Sequence, residues 1–253
     1  MKPLILVTND DSVNSPGIAH LVNIAKDFGN VVVVAPDSAQ SGMGHAITIG
    51  HPLRLEKVNL FEGVDAYECT GTPADCVKLA KNFVMQDHKP DLVLSGMNHG
   101  ANTSVSVLYS GTMSAAIEAA MEGIPAVGFS LCDYSQNADL SHTEPLIREV
   151  IQKTLDKGIK KGVALNVNFP EKTDKPIKGL RVCRQAKAVW EEKFDLREDP
   201  YGRRYFWMAG DFTKKEESED TDVWAIENNY ASIVPCQYDL TDNEMKAELQ
   251  NWT

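Results

Sequence analysis

At 253 residues the chain can build one large domain or a domain with an extension, and 43% hydrophobic with 24% charged residues excludes wholesale disorder. A formal net charge of −11 argues against a nucleic-acid platform, because such a surface repels a polyanion. A small anionic substrate stays open, since a bound cation or local amides can reverse the field inside a pocket.

No apolar run nears the roughly 20 residues that a membrane helix needs, and Met1-Lys2-Pro3 leads straight into a strand-like run without a signal-peptide pattern. The five cysteines (Cys69, Cys76, Cys132, Cys183, Cys236) form no CxxC pair and no zinc spacing. They read as reduced thiols, and the expected location is the cytoplasm.

In chain order, residues 4–8 (LILVT) form a continuous apolar run, as a strand covered on both faces requires. From Gly17 the period becomes helical through Ile18, Leu21, Val22 and Ala25, with Gly29 as the stop. VVVVAP at 31–36 is a second buried strand, which makes a βαβ unit. Residues 47–69 are broken by Gly and Pro and predict hairpins projecting from the sheet. Thr72, Pro73 and Asp75 predict a capped helix start, with Cys76, Val77, Ala80 and Val84 facing inward.

A strand at 91–96 follows, then a helix over 110–123 whose Met113, Ala116, Ile117, Ala120 and Met121 face inward. Strands at 126–131 and 163–170 flank a helix from about 143 to 156. The alternation predicts an α/β fold, a doubly wound, mostly parallel Rossmann-like sheet over residues 1–175. After about 175 the rhythm breaks. Residues 176–253 predict a β-rich arm, a charged loop at 214–222, a strand ASIVPCQ and a terminal helix capped by Thr241, partly returning to the core. This extension is expected to serve oligomerisation.

Ligands of open α/β sheets bind beyond the carboxyl ends of the strands. The loops that meet there carry Asn9-Asp10-Asp11, the stretch from Asp37 to Gly44, and Met97-Asn98-His99-Gly100. Two adjacent carboxylates repel, so one takes a proton or a cation sits beside them. An Asp pair in a loop more often caps a turn, but its place at the end of the first strand shifts the balance toward a site. Ser41-Gly42 offers a hydroxyl and a flexible amide, and the Asn98 amide oxygen could complete an all-oxygen shell with Asp10, Asp11 and Ser41. Such ligands suit Mg²⁺ or Mn²⁺ and not zinc. GMGHAI lacks the third glycine of a dinucleotide loop, and no Walker A sequence is present. Ser110-Gly111-Thr112 open a helix and so form an anion site or an ordinary Ser cap. A cation site beside an anion site fits phosphoryl transfer to water.

The blocks ILVTNDD, VVAPDSAQSGMGHAIT, GTPADCV, DLVLSGMNHGAN, LYSGTMSAAIEAAMEGIPAVGFS, LNVNFP and TDVWAIENNYASIVPCQYDLT occur in this order across nearly the whole chain. In these the chain resembles the SurE (survival protein E) family of nucleotidases. The resemblance implies a metal-dependent phosphatase acting on nucleoside 5′- or 3′-monophosphates, some members also trimming short polyphosphate. It implies one divalent cation, Mg²⁺ or Mn²⁺, at Asp10, Asp11, Ser41 and Asn98, with Asp10 and Asp11 catalytic. Phosphate contacts are implied at Ser110-Gly111-Thr112, with Asn9 and Gly42 completing the expected substrate site. Dimers or tetramers with exchanged C-terminal arms are also implied.

Two departures stand out. The family usually has Gly after the paired acids, where this chain has Ser12, and TSVSV after Asn102 replaces the acidic stretch of many members. The rival readings are an aspartyl-phosphate phosphatase with Asp10 as nucleophile, although its usual pattern is Asp-x-Asp, and a non-catalytic nucleotide-binding regulator. The aromatics of the arm (Trp190, Phe194, Tyr205, Trp207) are expected at a subunit interface ahead of a base-stacking role.

Overall fold

In the computed structural model, which describes residues 2–86, 88–135 and 137–252, the apolar run at the start of the chain becomes β1 (Leu4–Thr8) at the centre of a nine-stranded sheet. Its alternate residues enter two separate cores. Ile5 and Val7 pack on one face with Ile18, Leu21, Phe129, Ile147 and Phe169. Leu6 packs on the other with Val34, Cys76, Val77, Met113 and Ala116. A strand buried on both faces has no polar side to show, which is why LILVT does not alternate.

α1 (Pro16–Ala25) starts one residue before the expected Gly17, on a Ser15 cap. β2 (Asn30–Pro36) then runs parallel to β1. The expected projecting hairpins are replaced by one pair, β3 (Leu55–Val58) and β4 (Asp65–Cys69), which continues the main sheet beyond β2. β4 pairs parallel to β2, so its backbone groups are satisfied within the sheet.

α2 (Pro73–Leu79) carries the predicted capping box. Asp75 N–H donates to Thr72 Oγ1 at 3.2 Å, and Thr72 N–H donates to Asp75 Oδ2 at 3.0 Å. The same two residues hold the preceding loop, since Thr72 Oγ1 donates to Ala46 O and Thr48 N–H donates to Asp75. The chain continues as a wider π-type turn over 80–84, where Val84 is only half-buried.

β5 (Leu92–His99) lies on the opposite side of β1 from β2, and is followed by α3 (Gly111–Met121), β6 (Ala126–Leu131), α4 (Glu144–Lys157) and β7 (Val163–Phe169). Met121, expected inside, is half exposed, because α3 ends there and its last turn leaves the sheet. β8 (Leu180–Val182), β9 (Ala188–Glu198), β10 (Arg204–Lys214), α5 (Asp222–Glu227), β11 (Ala231–Gln237) and α6 (Asn243–Leu249) complete the chain.

The sheet order is β3-β4-β2-β1-β5-β6-β7-β11-β8, with β3 and β11 antiparallel to their neighbours β4 and β7. β9 and β10 form a separate two-stranded ribbon. α6 is capped by Asp242, which accepts from the N–H groups of Glu244 and Met245, and not by the expected Thr241. An ionised Asp next to the first turn offers a stronger acceptor than a threonine one residue further out.

Candidate active site

Between β1 and β5 the chain direction of the connections reverses, so the loops beyond these two strands part and leave a crevice. Asp10 and Asp11 follow β1, and Asn98 is the penultimate residue of β5. The loop after β2 is tied to the same rim by Gln40 N–H, which donates to Asp10 O at 2.7 Å. The next residue is Ser41, exposed to solvent.

Asp10 is buried against the start of α3. Thr112 Oγ1 donates to Asp10 Oδ1 at 2.5 Å. A Cβ on Gly111 would lie 2.6 Å from Asp10 Cβ, so only glycine lets the helix come this close. Burial and the charge of Asp11 push the Asp10 pKa up to about 7, against the lowering effect of the Thr112 hydrogen bonds. Burial also raises the pKa of Asp11, although His99 N–H donates to its Oδ2 at 3.2 Å.

These carboxylates bear the strain that a divalent cation removes. Asn98 uses its amide nitrogen on Gly100 O at 2.8 Å. Among the described residues no side-chain hydrogen bond reaches Asn98 Oδ1, Asp11 Oδ1 or Ser41 Oγ. Oxygen donors without protein partners, beside two crowded carboxylates, fit Mg²⁺ or Mn²⁺. Among the described residues no group of three His, Cys, Asp or Glu side chains is placed to hold a metal ion.

Ser110 caps α3, accepting from Met113 N–H at 3.0 Å, so its hydroxyl proton stays free to donate. The Thr112 hydroxyl is already committed to Asp10, and this makes Thr112 a holder of the carboxylate first. Gly42 has φ +74° and no atom near its missing Cβ, which leaves its backbone open at the rim. Asn9 faces inward instead. It is fully buried, and its amide nitrogen donates to Ser12 O and Ser15 Oγ, both at 2.8 Å.

A buried amide network escaped sequence reasoning. Asn102 N–H donates to Asn168 Oδ1 and Asn102 Nδ2 to Ser130 Oγ, both at 2.8 Å. Asn166 Nδ2 donates to Asn102 O at 2.8 Å, and Asn168 Nδ2 to Asn166 Oδ1 at 2.9 Å. The alternation in LNVNFP, which sends both asparagines to one face of β7, was the available signal. His45 was also unassigned. Its Nε2 lies 2.9 Å from the buried Glu118 carboxylate, which Lys78 pairs at 2.5 Å.

The family model for survival protein SurE matches residues 5–192. The chain belongs to the SurE family. A protein of Cytophaga hutchinsonii named 5′-nucleotidase SurE is 62% identical over 252 residues, covering 99% of this chain and 97% of its own. A Flavobacterium psychrophilum protein of the same name is 53% identical, covering 99% and 98%. The crystal structure of the SurE protein from Aquifex aeolicus superposes with a TM-score of 0.84 at 38% identity, over 99% of both chains. The α/β fold expected from the sequence is therefore the SurE fold.

Proposed function

We infer that the chain is a divalent-metal-dependent phosphomonoesterase that hydrolyses nucleoside 5′- and 3′-monophosphates to nucleoside and phosphate. The observation that carries this reading is the meeting of Asp10, Asp11, Asn98 and the Ser41 loop at the crevice where α3 begins. Full-length similarity to proteins named 5′-nucleotidase SurE supports the substrate class.

Asp10, Asp11, Ser41 and Asn98 would hold one Mg²⁺ or Mn²⁺ per subunit. When bound, the cation neutralises phosphate charge and polarises the phosphorus. Ser110 Oγ–H and Gly111 N–H at the start of α3 bind the other phosphate oxygens, where the helix dipole favours negative charge. Gly42 offers its N–H from the opposite lip.

The Asp10-Asp11 pair is the proton acceptor for the attacking water, since each carboxylate keeps one oxygen outside the Thr112 and His99 hydrogen bonds. The new P–O bond forms in line as the bond to the sugar oxygen breaks, and that oxygen leaves with a proton returned from the pair or solvent. Asn9 and Thr112 act by holding the Asp10-Asp11 turn.

We further propose that residues 1–175 carry the metal and phosphate chemistry. Residues 176–253 supply oligomer contacts while lending β8 and β11 to the sheet. The exposed apolar side chains of the ribbon support a homodimer or homotetramer. Five free cysteines, and no helix among the described residues long and apolar enough to cross a membrane, support a cytoplasmic location.

Phosphate release from AMP tests the reading. We expect turnover with Mg²⁺ or Mn²⁺, none in EDTA, and at least about a 100-fold loss of kcat in Asp10→Asn and Asp11→Asn, with the fold retained by circular dichroism. Full activity in EDTA, or in both variants, overturns it.

A further inference from the structure

Beside the phosphate turn lies a cleft of about 460 Å³ lined by Gly42, Tyr109, Trp190, Glu192, Met208, Ala209 and Gly210. Two of its residues are chain neighbours of the proposed site. Tyr109 immediately precedes Ser110, and Gly42 immediately follows Ser41. Gly44 N–H donates to Tyr109 O at 3.1 Å and joins the two loops along this wall.

The indole is held in place before any ligand arrives. Ser106 Oγ accepts from Trp190 Nε1 at 3.3 Å, while Ser106 O accepts from Tyr109 N–H at 3.1 Å, which fixes the Tyr109 backbone beside an exposed ring. Phe212, opposite Trp190 in the ribbon, meets the indole edge-on with centroids 5.4 Å apart. Gly210 keeps the floor low, because a Cβ there would sit 2.9 Å from Glu191 O. Trp190 is partly buried where the ribbon leaves the core, whereas Phe194 and Trp207, farther out along the ribbon, are exposed.

We propose that this cleft holds the nucleobase of the substrate, stacked against Trp190 and Tyr109, with Glu192 accepting hydrogen bonds from its N–H edge. The proposal rests on the nucleotidase reading for the place of the phosphate. A flat aromatic ligand is what a pre-set indole, a neighbouring exposed tyrosine and an apolar floor accommodate, and stacking tolerates every base because each has a π-face. The carboxylate of Glu192 can only accept, so it pairs with amino and imino groups and not with carbonyl edges.

Steady-state kinetics on the full chain with AMP and with ribose 5-phosphate, which lacks the base, test this directly. Trp190→Ala should lower kcat/KM for AMP at least about fivefold, mainly through KM, and leave ribose 5-phosphate unchanged. Trp190→Phe, which keeps a ring, should recover most of the loss. Equal loss on both substrates, or none on AMP, overturns the proposal. Calorimetry with adenosine reads the cleft without catalysis. Wild type should bind it and Trp190→Ala at least fivefold more weakly; no binding, or equal binding, refutes the assignment. Failure of the wild type to release phosphate from either ester sinks the hydrolase reading instead, and the adenosine measurement still decides the cleft.

Discussion

Ser12 has φ +87°, a left-handed backbone that an L side chain adopts at a cost. The position next to the paired acids therefore adopts a backbone that glycine would reach without that cost. The turn is held by Asn9 Nδ2 and Ser15 N–H donating to Ser12 O, and by Asn14 N–H donating to Ser12 Oγ at 3.2 Å. Ser12→Gly should relieve the strain and raise stability by about 1 kcal/mol in urea unfolding, with activity retained. Asp10 gives the opposite kind of residue-scale effect. Its pKa is about 7 in the fold against an ordinary value of 3.8, so the folded state holds a proton that the unfolded chain releases. The stability it contributes is full below pH 3.8 and is lost as pH rises through 7. In EDTA, Asp10→Asn should therefore gain stability over wild type at pH 8 far more than at pH 4, by a few kcal/mol, and Mg²⁺ or Mn²⁺ should narrow the gap. The adjacent acids at a strand end were legible as a candidate site in sequence. The Thr112 contact that buries one of them was not, because it joins residues 102 positions apart.

Among the elements, the six-residue α5 does more than its length suggests. Asp222, its first residue, is buried and accepts from Ser104 N–H and its own neighbour Val223 N–H at 2.8 Å, and from Ala186 N–H at 2.9 Å. It thereby clamps the turn that leads to Tyr109 and Ser110 onto the strand entering the ribbon. Burial pushes its pKa up, but three backbone donors hold it in place. Asp222→Ala strands three N–H groups and should cost about 3 kcal/mol in unfolding, with a rise in KM for AMP. The sequence reads residues 214–222 as a charged loop, and this holds for exposed Glu217 and Glu219 but not for Asp222. Six residues are too few for a helical period to show. β9 was missed for another reason. AVWEEKFDLRE belongs to a ribbon largely open to solvent, so no single buried face imposes an alternating pattern, whereas β1, buried on both faces, leaves the unbroken apolar run LILV.

At the level of the whole molecule, residues paired across the ribbon share a face, which puts Phe194 with Met208 and Leu196 with Phe206 on one side. All four are at least half exposed. So broad an apolar stripe on an isolated chain calls for a covering surface, and the proposed oligomer supplies one. Sedimentation should report a dimer or tetramer, and the double variant Leu196→Glu, Phe206→Glu should reduce the mass. An unchanged mass would show that the stripe is not the contact. The doubly wound plan was readable from strand–helix alternation because each parallel crossover is local. The insertion of β11 between β7 and β8 was not, since it pairs residues 232–237 with residues 163–168 across a long intervening ribbon. That insertion matters during synthesis. Until residue 237 has left the ribosome, β7 offers a bare hydrogen-bonding edge to any nascent neighbour, so the segment carrying Asp10, Asp11, Ser41 and Asn98 is made well before its sheet is safe from aggregation.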